Sequence, residues 1–199
     1  MRSFLCAMTG LLLAGVLSVN ATAATAAGQS PEQFVEQTAA QVLEILRGTA
    51  SKQEKLVRLE ALLDTKSDID TVTKLVLASN YRTFSEQQRG EFQKLFKQYL
   101  SATYGGQIDK YSNERVEVTG GRPEAHGDYT VQTRLKRTNG QPDILVDYRL
   151  RQKNGQWLLI DVIGEGVSLI ANLRSQFQEI LSQGGPERLL KVLREKSAA

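Results

Sequence analysis

The apolar residues of this chain change their spacing twice, and those two changes constrain the fold more than any other feature. From Phe34 to the glycines at 105 and 106 they recur at the 3.6-residue period of amphipathic helices. From Val116 to Val162 they alternate with polar residues at period two, and after Ser168 helical spacing returns. Helices, then strands, then helices specify an α+β domain with helices packed on one face of an antiparallel sheet.

Local signals place the elements. Ser30-Pro31-Glu32-Gln33 combines an N-cap, a proline at the first helical position and a capping-box glutamine. Phe34, Thr38, Val42 and Leu46 then follow at helical spacing up to Gly48. A second helix is expected over Lys52 to Leu63. A third starts at Ser67-Asp68 and carries Ile69, Val72, Val76 and Leu77. Ser85 to Gln88 form another capping box, and Phe92, Leu95, Phe96, Tyr99 and Leu100 share the next helix face. Four strands follow as a twisted meander: a short one at Val116 and Val118, one from Tyr129 to Leu135, one from Ile144 to Leu150, and one from Trp157 to Val162. Asn139-Gly140 and Asn154-Gly155 suit tight hairpin turns between them. Ser168 is the N-cap of a helix with Ile170, Leu173, Phe177, Ile180 and Leu181 on its apolar stripe. Gly184-Gly185 closes it, and Pro186 opens a last helix.

The first 27 residues stand apart. Arg2, the apolar run from Phe4 to Val19 and the small residues Ala21-Thr22-Ala23 or Ala24-Thr25-Ala26 have the order of a cleaved secretory signal, leaving one domain over residues 28–199. The one cysteine, Cys6, lies in that leader, so the mature chain is held by its core without disulfides. An exported domain without disulfides fits a bacterial periplasm best. Net charge is +3, or about +2 once Arg2 is removed, and no basic run with interleaved aromatics occurs, which excludes a nucleic-acid protein. Short basic clusters such as Arg134 to Arg137 read as solvated strand edges.

Catalytic chemistry finds little to use. His126 is the only histidine and lies in a loop; no cysteine remains for a Cys–His pair, and no nucleophile elbow, Walker loop or dinucleotide motif is present. No metal-ligand spacing occurs either, so neither metal nor cofactor is expected. Asp161 and Glu165 are the one pair of carboxylates set in an apolar stretch. They could act as acid and base in a pocket enzyme of NTF2-like shape handling a small apolar substrate. They could instead hold the turn into the Ser168 helix, with Glu165 near its positive end and Arg174 within reach of either acid. The segment lacks the further polar groups of an acid–base site, which favours the structural role.

The same stretch, "WLLIDVIGEGVSLIANLRSQF" (157–177), strongly resembles the C-terminal signature of the MlaC family, also called the toluene-tolerance family. "FSEQQRGEFQKLFKQYLSATYGGQIDKY" (84–111) is similar to that family's other recurring block. The resemblance implies a soluble periplasmic phospholipid carrier without catalysis, with a deep apolar cavity between sheet and helices for the acyl tails. It also implies transient docking to an inner-membrane ABC transporter with an MCE-domain ring and to an outer-membrane lipoprotein–porin complex, in maintaining outer-membrane lipid asymmetry. Arg134, Lys136 and Arg149 could help such docking. On that reading the lining is expected to combine Val131, Val146, Tyr148 and Leu150 of the sheet with Leu77, Leu95, Phe96, Tyr99, Ile170 and Phe177 of the helices. Periodicity does not distinguish such a lining from a filled core, and an adaptor with a solid core fits the same pattern.

Overall fold

The computed structural model describes residues 28–105, 114–137 and 140–197; the expected leader, Gly106 and Asn139 lie outside them. Helices α1 (Pro31–Arg47), α2 (Lys52–Lys66), α3 (Ile69–Leu77) and α4 (Glu86–Tyr104) precede strands β1 (Arg115–Pro123), β2 (Asp128–Lys136), β3 (Ile144–Lys153), β4 (Gln156–Gly164) and β5 (Val167–Ser168), and α5 (Leu169–Ser197) ends the described chain. A 3-10 turn at Ala78–Thr83 joins α3 to α4.

The helix starts follow from their caps. Ser30, Ser51 and Ser85 each accept a hydrogen bond from the third residue of the helix, whose Gln33, Glu54 or Gln88 side chain bonds back to the cap. The box at Ser51 extends the sequence reading, and α2 runs three residues past Leu63 to Lys66. α5 breaks as expected: Gly185 takes φ 61°, Pro186 follows, and the second half returns Leu189, Leu190 and Leu193 to the core. Gly105 ends α4 for a reason other than backbone freedom. Its φ is −61°, but a Cβ there would come within 2.8 Å of the Leu56 side chain, so glycine lets α2 approach.

The strands form one antiparallel sheet in the order β1-β2-β3-β4-β5. Four are those expected; the fifth, of two residues, pairs Val167 with Gly164 and Ser168 with Ile163. Asn154 and Gly155, at φ 52° and 77°, make the β3–β4 hairpin turn. Register shifts between Val118 and Gly120 and between Arg149 and Leu150 bend the sheet.

Two apolar regions result. α3, α4 and α5 close on one another around Phe92, Phe96, Phe177 and Leu190, all at most 2% exposed. The rings there mesh: Phe92 stacks on Phe96 at 5.4 Å, and Phe177 stands edge-on to Phe92, Phe96 and Tyr99 at 5.9 to 6.1 Å. The other region lies between α1 and the sheet, where Phe34 and Val35 meet Val131 and Leu150. α2 completes its wall without a single buried residue of its own.

Candidate functional site

Between α1, α2 and the sheet lies a cavity of about 320 Å³. α1 contributes the stripe Phe34, Val35, Thr38, Ala39, Val42, Leu43 and Leu46, and α2 contributes Leu59, Leu62, Leu63 and Lys66. Val116, Leu135, Tyr148, Leu150 and Leu159 close it from the sheet. These positions follow from period: the α1 residues share one helix face, while Leu135, Tyr148 and Leu150 lie on the same sheet face.

Almost nothing in this lining can form a strong polar contact. The Thr38 hydroxyl is buried without a hydrogen-bond partner among the described residues. Burial pushes the Tyr148 phenol above its ordinary pKa, so that wall stays neutral. Lys66, half-buried, is the one charged residue among the described lining. Such a space suits hydrocarbon and offers no set of groups for acid–base or metal chemistry. Among the described residues no three His, Cys, Asp or Glu side chains gather as metal ligands.

Of the ten residues expected to line a cavity, Tyr148 and Leu150 do so. Val131 is fully buried beside Leu150, and Val146 stands opposite Thr133 on the same sheet face, outside the lining. Leu77, Leu95, Phe96, Tyr99, Ile170 and Phe177 belong to the helical core. Phe96 and Ile170 also border a small hollow of about 70 Å³, which shares Leu63 and Leu159 with the larger cavity. The α1 stripe was legible as a helix face. Its position as a cavity wall had one faint signal: the apolar residues of α1 and α2 are mostly aliphatic, with Phe34 the one ring they bring.

Asp161 and Glu165 are both engaged in holding the backbone. Asp161 accepts from the Ser168 hydroxyl at 2.5 Å and from the Ile170 amide at 3.1 Å, while Ser168 accepts from Ala171. The aspartate therefore caps α5 through its N-cap residue. Glu165, at φ 49°, donates its amide to the Leu145 carbonyl and accepts the Leu145 amide at 2.7 Å. It braces β3, rather than sitting at the helix end. Arg174 binds neither acid and donates to the Leu75 carbonyl at 2.7 Å, tying α5 to α3.

Some of the charged side chains are paired. Asp128, 3% exposed, receives Arg151 at 2.6 Å and Arg149 at 3.0 Å. Lys136 pairs with Asp143 at 2.9 Å, which leaves Arg134 as the one of the three residues suggested for docking that has no ion pair among the described residues. At the foot of α2, Asp68 caps α3 through Thr71 and meets Lys153 at 3.1 Å. Burial raises its pKa, but the Thr71 and Lys153 hydrogen bonds outweigh that and hold it below the usual aspartate value.

The family model for MlaC protein matches residues 36–195. The chain belongs to the MlaC family. The intermembrane phospholipid transport system binding protein MlaC of Haemophilus influenzae is 22% identical over 62% of this chain; the match spans 59% of that relative's length. The toluene tolerance protein ttg2D of Pseudomonas putida is 26% identical over 81% of this chain and 77% of its own. Among solved structures, a phospholipid-binding protein from Ralstonia solanacearum in complex with a phospholipid has the same fold, with a TM-score of 0.76. That likeness covers 84% of this chain and 96% of the other at 22% identity.

Proposed function

We propose that this chain is a phospholipid carrier that shields acyl chain in the cavity beneath α1 and α2. The observation that carries the reading is the lining itself: about 320 Å³ of space walled almost wholly by apolar side chains, beside a second apolar region that is filled. A half-open apolar pocket of this size leaves its walls facing water unless something covers them, at a cost that grows with the apolar area exposed. A methylene needs about as much room as a water molecule, roughly 30 Å³, so the cavity takes on the order of ten of them, most of one tail. Each buried methylene is worth about 0.8 kcal/mol against water. A lipid already has that energy in its bilayer, so transfer into the dry cavity is close to neutral and tail exposure in transit is avoided.

A second tail needs more room than the cavity has. α2 is the wall that can supply it, because it buries no residue and is held by ties at its rim. Lys55 donates to the Leu46 carbonyl at 2.7 Å, Asp64 pairs with Lys97 at 2.8 Å, and the Asp68 amide donates to the Leu159 carbonyl at 3.1 Å. Outward movement of α2 would join the large cavity to the hollow behind Leu63 and Leu159.

Near-neutral exchange sets no direction, so the carrier works between partners: an energised inner-membrane transporter with an MCE-domain ring and an outer-membrane lipoprotein–porin complex. On this reading the chain works in the periplasm, in the service of outer-membrane lipid asymmetry. Among the described residues no helix is long and apolar enough to cross a membrane. Native mass spectrometry of the protein purified from a periplasmic extract without detergent tests the reading. Phospholipid in fixed stoichiometry supports it; bare protein that also takes no lipid from vesicles rejects it.

A further inference from the structure

The sixteen described residues that line the cavity include fifteen uncharged ones and a single cation, Lys66. Lys66 is half-buried, and a lysine in that position can lay its stem along an apolar wall with the ammonium turned toward water. The ammonium stands 5.7 Å from the centre of the Phe34 ring, and among the described residues it has neither an ion pair nor a hydrogen bond.

That isolation is notable because acids are close by in sequence. Asp64 is held by Lys97 at 2.8 Å, Asp68 by Thr71 and by Lys153 at 3.1 Å, and Asp70 by the Gln93 amide at 3.0 Å. Each flanking carboxylate thus has another polar partner, and the lysine at the cavity rim has only the face of the Phe34 ring. An ammonium on the rim of a hydrocarbon space meets the part of an amphiphile where tail gives way to headgroup. For a glycerophospholipid that part is the phosphate, which carries a full negative charge next to the glycerol.

We propose that Lys66 is the phosphate-binding group of the cavity rim, so that the protein selects phosphorylated two-tailed lipids over uncharged ones with the same tails. The inference rests on the carrier reading. It concerns the phosphate that all glycerophospholipids share and leaves the alcohol beyond it unread. A lysine supplies a point charge with three rotatable donors, which suits a phosphate approached from many angles as lipids enter and leave. A cation in the last turn of α2 also favours the helix dipole, but that role would show in stability alone.

The test uses the mature chain and donor vesicles holding equal amounts of a phosphatidylethanolamine and a diacylglycerol with identical tails, with retained lipid read by mass spectrometry. Wild type should retain the phospholipid over the diacylglycerol by about tenfold, as expected for one charge-assisted contact at a partly wet site. Lys66→Gln should bring the ratio to about one, Lys66→Glu should invert it, and Lys66→Arg should preserve it. Melting temperatures within about 2 °C of wild type would confirm that the variants are folded. A Lys66→Gln ratio equal to wild type would overturn the inference while leaving the carrier intact. Uptake of neither lipid by wild type would reject the carrier itself. If millimolar inorganic phosphate alone lowered the wild-type ratio to that of Lys66→Gln, Lys66 would be a site for free anions and the lipid assignment would be wrong.

Discussion

The two apolar regions of this protein use similar residues for opposite ends. Where α3, α4 and α5 meet, five rings and a set of leucines fill the space until Phe84, Phe92, Phe96 and Phe177 are almost fully buried. Where α1 and α2 face the sheet, leucines and valines line a gap that they do not close. The filled region gives the protein stability from burial and dispersion. The hollow region forgoes part of that gain and leaves room for another molecule's tail. Stability and capacity are thus separated along the chain, with β4 between them: Leu159 faces the cavity while Ile160 is 1% exposed beside the helical core.

The contrast is broken most directly by truncation. Phe92→Ala in the filled region should cost about 3–5 kcal/mol, because it removes a large buried ring and leaves a new void. Leu62→Ala on the cavity wall enlarges an existing space and should cost less than about 1.5 kcal/mol. Urea unfolding of the two variants checks the difference; equal losses would mean the two regions are packed alike. Filling acts the other way. Val42→Trp should lower lipid uptake from vesicles about tenfold while changing stability by about 1 kcal/mol or less, since the indole occupies space that was empty.

Smaller effects sharpen the seam between the regions. Asp161→Ala should lose about 1–2 kcal/mol by uncapping α5, with lipid uptake retained. Full stability together with lost uptake would return Asp161 to a functional role. Asp68 supplies a pH-dependent contribution. Its folded pKa is the lower one, so its stabilisation is complete above the ordinary aspartate value of about 3.9 and fades as pH falls through the folded value. Asp68→Asn should flatten that acid slope, as read from denaturant midpoints across the range. The smallest change is a gain. Ala78 ends α3 at φ 49°, ψ −125°, a conformation costly for any residue with a Cβ, and Ala78→Gly should add about 0.5 kcal/mol.

The fold was written plainly in the chain, because its signals are local. Serine caps, alternation along β2 and β3, Asn154-Gly155 and the break before Pro186 each depend on a few neighbouring residues. β5 was not legible: two residues make no period, and their partners, Ile163 and Gly164, lie just across the turn. The cavity was half legible. Each apolar stripe could be read, yet a stripe looks the same whether the space before it is full or empty. The expected lining therefore gave its helical share to Leu95, buried in the filled core, and to Phe96, Tyr99 and Phe177, whose rings mesh there. The wall lies instead on the plainer aliphatic faces of α1 and α2. Tyr148 and Leu150, also expected, border the cavity because they lie on the sheet face turned toward those helices.

The most direct test of the account is to ask where a tail lies. A phosphatidylethanolamine with a photoreactive diazirine near the end of one acyl chain can be loaded into the mature protein, illuminated, and the labelled peptides mapped. The account predicts label on α1 between Phe34 and Leu46, on α2 between Leu59 and Leu63, and on the facing strands. Label concentrated on Leu95 to Tyr99 and Phe177 would contradict it and show that the helical core, not the space under α2, opens for lipid.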